Sequence, residues 1–288
     1  MTKKDKAYEG WDTQSHLQTF DVWNRQSDLA FNFAYGCFSE QRYLKSVVLF
    51  EKNPQILDVG CATGTTFRYV SNVLGDRAID YLGVDLSQPA IDRAKSLYPK
   101  GNFRKKQHEK IIAFTGKRYD IVFSRDTILH QTHPYEFLQE LLDAAGRCLI
   151  IRLRTRDQGK TLLDVEQSCQ MHYDRFWMPY IVLNTDELLD FLKSDPRVSK
   201  ITLNRSYEVL GGQNYRYLPK DLYVEATGGA ETSMMIELSD DGVKNNVEVI
   251  HDATLQGHAY LRENRLRRYG YAVLSRLSNV ITGRGREK

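Results

Sequence analysis

The residues best suited to chemistry fall first in two short stretches, residues 56–67 (ILDVGCATGTTF) and 81–87 (YLGVDLS). In the first, Asp58 lies in an apolar run, and Gly60 and Gly64 bracket a tight turn. Glycine accepts positive φ and lets backbone approach a ligand to contact distance. In the second, Asp85 closes another apolar run. A carboxylate at the end of the second strand of a βαβ unit reaches the ribose hydroxyls of a bound nucleoside. The glycine spacing discriminates between ligands. A dinucleotide loop wants GxGxxG, with its second glycine making room for pyrophosphate, whereas Ala62 and Thr65 hold the second and third places here. The pattern points to an adenosyl ligand and speaks against a nucleotide-binding dehydrogenase.

Further along the chain, His130 falls near the end of the string YDIVFSRDTILHQ (119–131) and His133 follows it. Either imidazole titrates near neutral pH and could act as a general base. Arg152, Arg154 and Arg156 alternate out of the end of a predicted strand, so period two sets them on one side. Guanidinium forks suit carboxylate or phosphate, which makes an anionic or sugar-linked substrate one expectation and a rim paired to Asp157 or Asp164 the other. His172 and Tyr173 lie in an aromatic stretch with Phe176, Trp177 and Tyr180. Either could accept the proton lost by a hydroxyl or amine acceptor in a small-molecule pocket.

Positioning these groups requires a βαβ series. Pro54 and the β-branched bias of Ile56 and Val59 predict a buried strand, and Thr65 and Thr66 can open a helix that Gly75 stops. Ser87-Gln88-Pro89 reads as a helix start, with serine as cap. Residues 102–107 read as a weak third strand, 121–123 as a fourth and 147–153 as a fifth. About thirty residues (155–184) then precede a helix capped by Thr185, too long for an ordinary connection. Residues 200–207 and 221–227 read as two final strands. Residues 234–238 and 247–250 read as a hairpin turning at Asp241-Gly242. From about residue 260 a basic helix carries Arg262, Arg265, Arg267, Arg268 and Arg276, suited to an anionic membrane surface, a protein partner or a homo-oligomer, or simply packed on its own hairpin.

At 288 residues the chain can bury one substantial core and an appendage, and 41% hydrophobic with 27% charged residues is ordinary for a globular protein. A formal charge of +3 is too small to argue for nucleic acid. The four cysteines (37, 61, 148 and 169) form no CxxC pair, so no zinc site and no disulfide framework is expected, and a reducing cytoplasm is the simpler compartment. No apolar leader or spanning stretch is evident.

The string DVGCATG, with Asp85 and the 119–131 string in the right order, resembles class I S-adenosylmethionine-dependent methyltransferases of the small-molecule type over about residues 54–227. Ala62 stands where the family has its middle glycine. The resemblance implies an α/β, Rossmann-like, seven-stranded, mostly parallel sheet with helices on both faces. It would comprise an N-terminal helical cap (1–52), the cofactor domain (53–227) with a substrate insert (155–184), and a C-terminal hairpin-plus-helix appendage (228–288). It implies S-adenosylmethionine as cofactor, held by the loop of Asp58, Gly60, Cys61, Ala62 and Gly64, by Asp85 and Leu86, and by Ser124 and Arg125. Tyr8 and Trp11 would close over it, and Arg42 would pair with its carboxylate. Gln107 and His108 stand where the family carries an acidic or amide residue against adenine. The implied activity is methyl transfer to oxygen or nitrogen of a small molecule. An RNA or protein methyltransferase, or a non-catalytic partner protein of the same fold, is the alternative. The chain contains no Asn-Pro-Pro-aromatic tetrad of enzymes that methylate adenine in nucleic acid.

Overall fold

The computed structural model describes residues 9–12, 17, 21–107, 109–171, 176–213, 215–239 and 247–254. Tyr8, His108, His172, Tyr173, the turn expected at Asp241-Gly242 and the basic helix expected from about residue 260 lie outside the described residues.

Strands β1 (Gln55–Val59), β2 (Asp80–Asp85), β3 (Asn102–Lys105), β4 (Tyr119–Arg125) and β5 (Ala145–Arg156) are parallel, with β1 at the centre between β2 and β4. The helices after β1 and β2 form where the sequence predicts, and Ile111–Thr115 adds one that it does not. Helix α1 is Asp28–Tyr35 and α2 is Ser39–Phe50. Helix α3, Thr65–Leu74, runs from Gly64 to Gly75, both at positive φ. The Oγ of Ser87 accepts from the Ala90 amide to cap α4, Gln88–Leu97, at 3.3 Å. Helices α5 (Ile111–Thr115), α6 (Pro134–Ala144) and α7 (Thr185–Ser194) complete the set. The cap of α7 is Asn184 rather than Thr185, because the Asn184 carboxamide oxygen accepts from both the Asp186 and Glu187 amides.

Side-chain alternation along the strands splits the core in two. Leu57, Val122, Leu149 and Ile151 pack against α5, α6 and α7, while Ile56, Ile121, Phe123 and Ile150 pack against α2, α3 and α4. Helix α2, expected as part of a cap, is therefore a structural layer of the sheet, and it also touches the carboxyl-terminal strands.

Residues 198–207 form the strand expected at 200–207, but the strands around it are arranged differently from expectation. Strand β9 (Val198–Tyr207) has antiparallel β11 (Ala230–Leu238) beside it, and β11 in turn pairs antiparallel with β5. Residues 221–227 form two short 3-10 turns instead of a strand, and Tyr223 and Val224 are exposed. Among the described residues, 234–238 and 247–250 do not pair with each other as a hairpin would. Strand β12 (Glu248–His251) pairs parallel with β9 on the side away from β11. Strand β11 is paired on both edges, with β5 and with β9, as a central strand must be and a surface hairpin arm need not be, and one of its faces is fully buried while the other is mostly half-buried. Among the described residues the main sheet has nine strands rather than seven, in the order β12-β9-β11-β5-β4-β1-β2-β3, with the short β8 (Leu183–Asn184) beside β5. The cofactor domain thus extends past residue 227, and part of the expected appendage belongs to the sheet.

The 155–184 insert supplies β6 (Cys169–Met171) and β7 (Trp177–Pro179). With β10 (Arg216–Tyr217), from the loop before β11, they make a separate three-stranded antiparallel sheet. A chain ending at Thr227 lacks the strand between β5 and β9. It is expected to show no cooperative thermal transition by circular dichroism; a normal transition would contradict the central placement of β11.

Candidate functional site

The strand ends of β1, β2 and β4 open onto a crevice of ≈ 520 Å³. Its floor is the 60–64 turn. Gly60 (φ 81°), Ala62 (φ 46°) and Gly64 (φ 82°) all take left-handed backbone, and a Cβ on Gly60 would overlap the Thr127 hydroxyl. Ala62 has no glycine's freedom to do this, and its conformation is held from the next strand. Its amide donates to Asp85 Oδ2 at 2.9 Å, while Asp85 Oδ1 accepts from the Ser87 amide at 2.9 Å. A carboxylate offers about four acceptor positions, so two backbone bonds are compatible with hydroxyl contacts as well.

The structure brings Gly60, Ala62, Asp85, Leu86, Gln107, Arg125 and His130 together on the crevice wall, along with Trp11. Other expected cofactor residues stand behind that wall. The buried Asp58 carboxylate accepts from the Tyr81 hydroxyl at 2.6 Å, Ser124 Oγ donates to the Val59 carbonyl at 2.9 Å, and Cys61 is buried against Gly83. Gly64 is the cap position of α3. Arg42 is not on the wall. It donates to Ser39 at 2.7 Å and faces Asp252 at 3.8 Å, because its position on α2 turns it toward the end of β12. The expected contact of Arg42 with a cofactor carboxylate is thereby corrected.

The arginines of β5 are also reassigned. Arg152, Arg154 and Arg156 are buried rather than set at the mouth. Arg154 pairs with Asp126 at 3.0 Å and Glu231 at 2.7 Å, and Arg152 pairs with Glu231 and approaches Glu40 and Asp126, each at 3.6 Å. Arg156 pairs with Asp221. Their carboxylates come from the neighbouring strand β11, from the turn after β4 and from α2. Period two put the arginines on one face correctly, but the sequence could not show that acids from distant segments meet them there. Glu40, fully buried, also accepts from Arg125 Nε at 2.8 Å and from Ser233 Oγ at 2.6 Å. Burial opposes ionisation of Asp126, but Arg152, Arg154 and Arg125 outweigh it and hold the carboxyl below its ordinary range. Asp126 sits at φ 55°, at the crevice.

The opposite wall comes from the small sheet and the amino-terminal turn. Trp11 meets His130 edge to face with centroids 5.0 Å apart, and Gln170 and Met178 complete this side. His130 Nδ1 lies 2.8 Å from the Pro179 carbonyl oxygen. A carbonyl can only accept, so Nδ1 carries the proton in the neutral ring and Nε2 the lone pair. His133 is at the mouth beside Glu136, 3.7 Å away. Sequence reasoning missed Lys106, Asp126, Thr127, Glu140, Gln170 and Met178. Asp126 alone had a local signal, since it follows Arg125 at a strand end.

Residues 57–146 match the family model described as a methyltransferase domain. That segment is a methyltransferase domain. Protein 235L of Invertebrate iridescent virus 6, a provisionally named methyltransferase, is 25% identical over 158 residues, 51% of this chain and 55% of that protein. A carboxy-S-adenosyl-L-methionine synthase of Desulfotalea psychrophila is 35% identical over 95 residues, 32% of this chain and 34% of that protein. The chain thus spans about half the length of the first and a third of the second. Among solved structures, phosphoethanolamine N-methyltransferase 2 of Haemonchus contortus, in complex with phosphomonomethylethanolamine and S-adenosylhomocysteine, superposes with a TM-score of 0.54. It is 13% identical, and the match covers 83% of this chain and 61% of that one. That likeness establishes the shared fold. S-adenosylmethionine is the cofactor of such a domain, and the crevice fits a ligand of that size, with mixed polar and apolar walls around Asp85. No described helix is long and apolar enough to cross a membrane.

Beneath the methyltransferase domain's glycine turn, burial pushes Asp58 up to about 7, with the Tyr81 hydrogen bond opposing the rise. A folded-state value above the unfolded one, about 3.9, means that the protonated form's stability is present below about pH 4 and is lost by about pH 7. Asp58→Asn keeps an acceptor for Tyr81 and removes the charge. Its stability advantage in urea unfolding is expected to grow from near zero at pH 4 to as much as about 4 kcal/mol above pH 7; an advantage independent of pH would refute the assignment.

Proposed function

We propose that the protein transfers a methyl group from S-adenosylmethionine to oxygen or nitrogen of a small molecule held between the glycine turn and the three-stranded sheet. The observation that carries this reading is the Asp85 carboxylate. It is fixed by the Ala62 and Ser87 amides at one end of a crevice whose other end holds the oriented His130 ring.

When bound, S-adenosylmethionine supplies a methyl group on a sulfonium, open to in-line displacement by the acceptor. The chain's part is mainly positioning, which accounts for much of the acceleration in such a transfer. Asp85 binds the ribose hydroxyls, Leu86 and Gln107 border the base, and Arg125, braced by Glu40, borders the amino-acid end. Trp11 covers the crevice beside His130 and shields it from water. His130 Nε2 takes the acceptor's proton, while Nδ1 keeps its own against the Pro179 carbonyl. Gln170 and Met178 form the acceptor-side wall, which a small molecule fits better than a polymer because the small sheet closes that flank. The cytoplasm is the compartment that suits the four free, buried cysteines.

Calorimetry with S-adenosylhomocysteine tests the reading directly, and an absence of binding would sink it. Asp85→Ala is expected to weaken that binding about 100-fold, from two lost charge-assisted hydrogen bonds. For methyl transfer, His130→Asn retains a donor for Pro179 but removes the lone pair. It should lower kcat about 10²- to 10⁴-fold, with S-adenosylhomocysteine affinity unchanged. A variant at wild-type rate would remove His130 from the chemistry.

A further inference from the structure

The small antiparallel sheet carries one cross-strand row in which Arg216 stands opposite Gln170 and Gln170 opposite Met178. Residues directly opposite in antiparallel strands project from the same face, and Gln170 Nε2 does meet Met178 Sδ at 3.1 Å. Gln170 and Met178 both line the crevice. Arg216 therefore rises from the face that forms the acceptor wall, one strand further out.

Its surroundings set it apart from the arginines of β5. Arg152, Arg154 and Arg156 each have a carboxylate partner. Among the described residues Arg216 forms no ion pair. Its Nη1 donates to the Leu210 carbonyl at 3.3 Å, and its Nε is shut off from solvent with no hydrogen-bond partner. The guanidinium instead lies over the Tyr180 ring, 4.7 Å from the centroid, and near that of Tyr215, at 5.6 Å. Aromatic faces stabilise the cation without using its N–H donors. Among the described residues Nη2 has no hydrogen-bond partner and is not shut off from solvent, which leaves that end of the fork for an oxyanion. Glu208 is within electrostatic reach of Arg216 but forms no ion pair with it.

We infer that the methyl acceptor carries a carboxylate or phosphate group and that Arg216 binds it, at the end of the row that runs through Gln170 and Met178 to the crevice. This rests on the methyltransferase reading for what the crevice does, and on the small sheet alone for the anion. The anion is held by charge-assisted hydrogen bonds from the fork, while the group to be methylated lies toward His130.

The test uses the full chain saturated with S-adenosylhomocysteine and titrated calorimetrically with benzoate, phenyl phosphate and the neutral benzamide. At least one anion is expected to bind at least tenfold more tightly than benzamide, and which one binds distinguishes a carboxylate from a phosphate acceptor. Arg216→Gln should erase that preference, lowering anion affinity about 10- to 100-fold while leaving S-adenosylhomocysteine affinity and the melting temperature unchanged. Arg216→Lys, which keeps the charge and loses the fork, should fall between them, and it serves alone if the glutamine variant fails to fold. Failure of both anions to bind, equal binding of benzamide, or anion binding indifferent to either substitution would overturn the assignment. If S-adenosylhomocysteine itself does not bind, the methyltransferase reading falls, and the anion titration without it still decides the role of Arg216.

Discussion

Three guanidinium groups and three carboxylates meet beneath the crevice: Arg125, Arg152 and Arg154 with Glu40, Asp126 and Glu231. Each charge has been taken out of most of its water, and a buried charge is tolerated only when it is paired and hydrogen-bonded. The cluster therefore constrains everything attached to it. Glu40 ties α2 to β4 and β5 through Arg125 and Arg152, and to β11 through Ser233; Glu231 ties β11 to β5. Helix, parallel strands and antiparallel strand must all be in place before the charges balance. Replacing any one member by an apolar residue would leave a partner uncompensated, at a cost of about 3–5 kcal/mol.

That constraint shapes the site above it. Arg125 and Asp126 reach the crevice as already committed groups, so their positions are set by the fold before any ligand arrives. On the other side of β1, Asp85 holds the Ala62 amide and so fixes a left-handed turn that alanine would not choose unaided. The ligand end of the site is thus preorganised by two independent devices, one a single carboxylate and the other a network. The acceptor end is built differently. Trp11, His130, Gln170 and Met178 come from an amino-terminal turn, the loop after β4 and a small sheet assembled from two insertions. Insertions of this kind can change the acceptor without disturbing the parallel strands that carry Asp85 and Arg125.

The division between legible and illegible residues follows from the range of the interactions involved. The parallel strands, the 60–64 turn, Asp85 and the serine cap of α4 were readable because each depends on neighbours a few residues away: apolar runs, positive φ and side-chain to backbone bonds. The order and pairing of the carboxyl-terminal strands were misread for a matching reason. Residues 221–227 and 230–238 both alternate plausibly, and only pairing on both edges, with β5 and with β9, marks β11 as the inner strand.

By itself, then, the sequence determined the βαβ core, the adenosyl-type glycine turn and the carboxylate that answers it, since local backbone chemistry dictates them. Tertiary structure alone decided that the arginines of β5 are neutralised by Glu40, Asp126 and Glu231, that Arg42 faces Asp252, and that Arg216 remains without an ion pair among the described residues. Pairing of charges is settled by which distant segments the sheet brings within about 4 Å of one another, and no spacing along the chain encodes that distance.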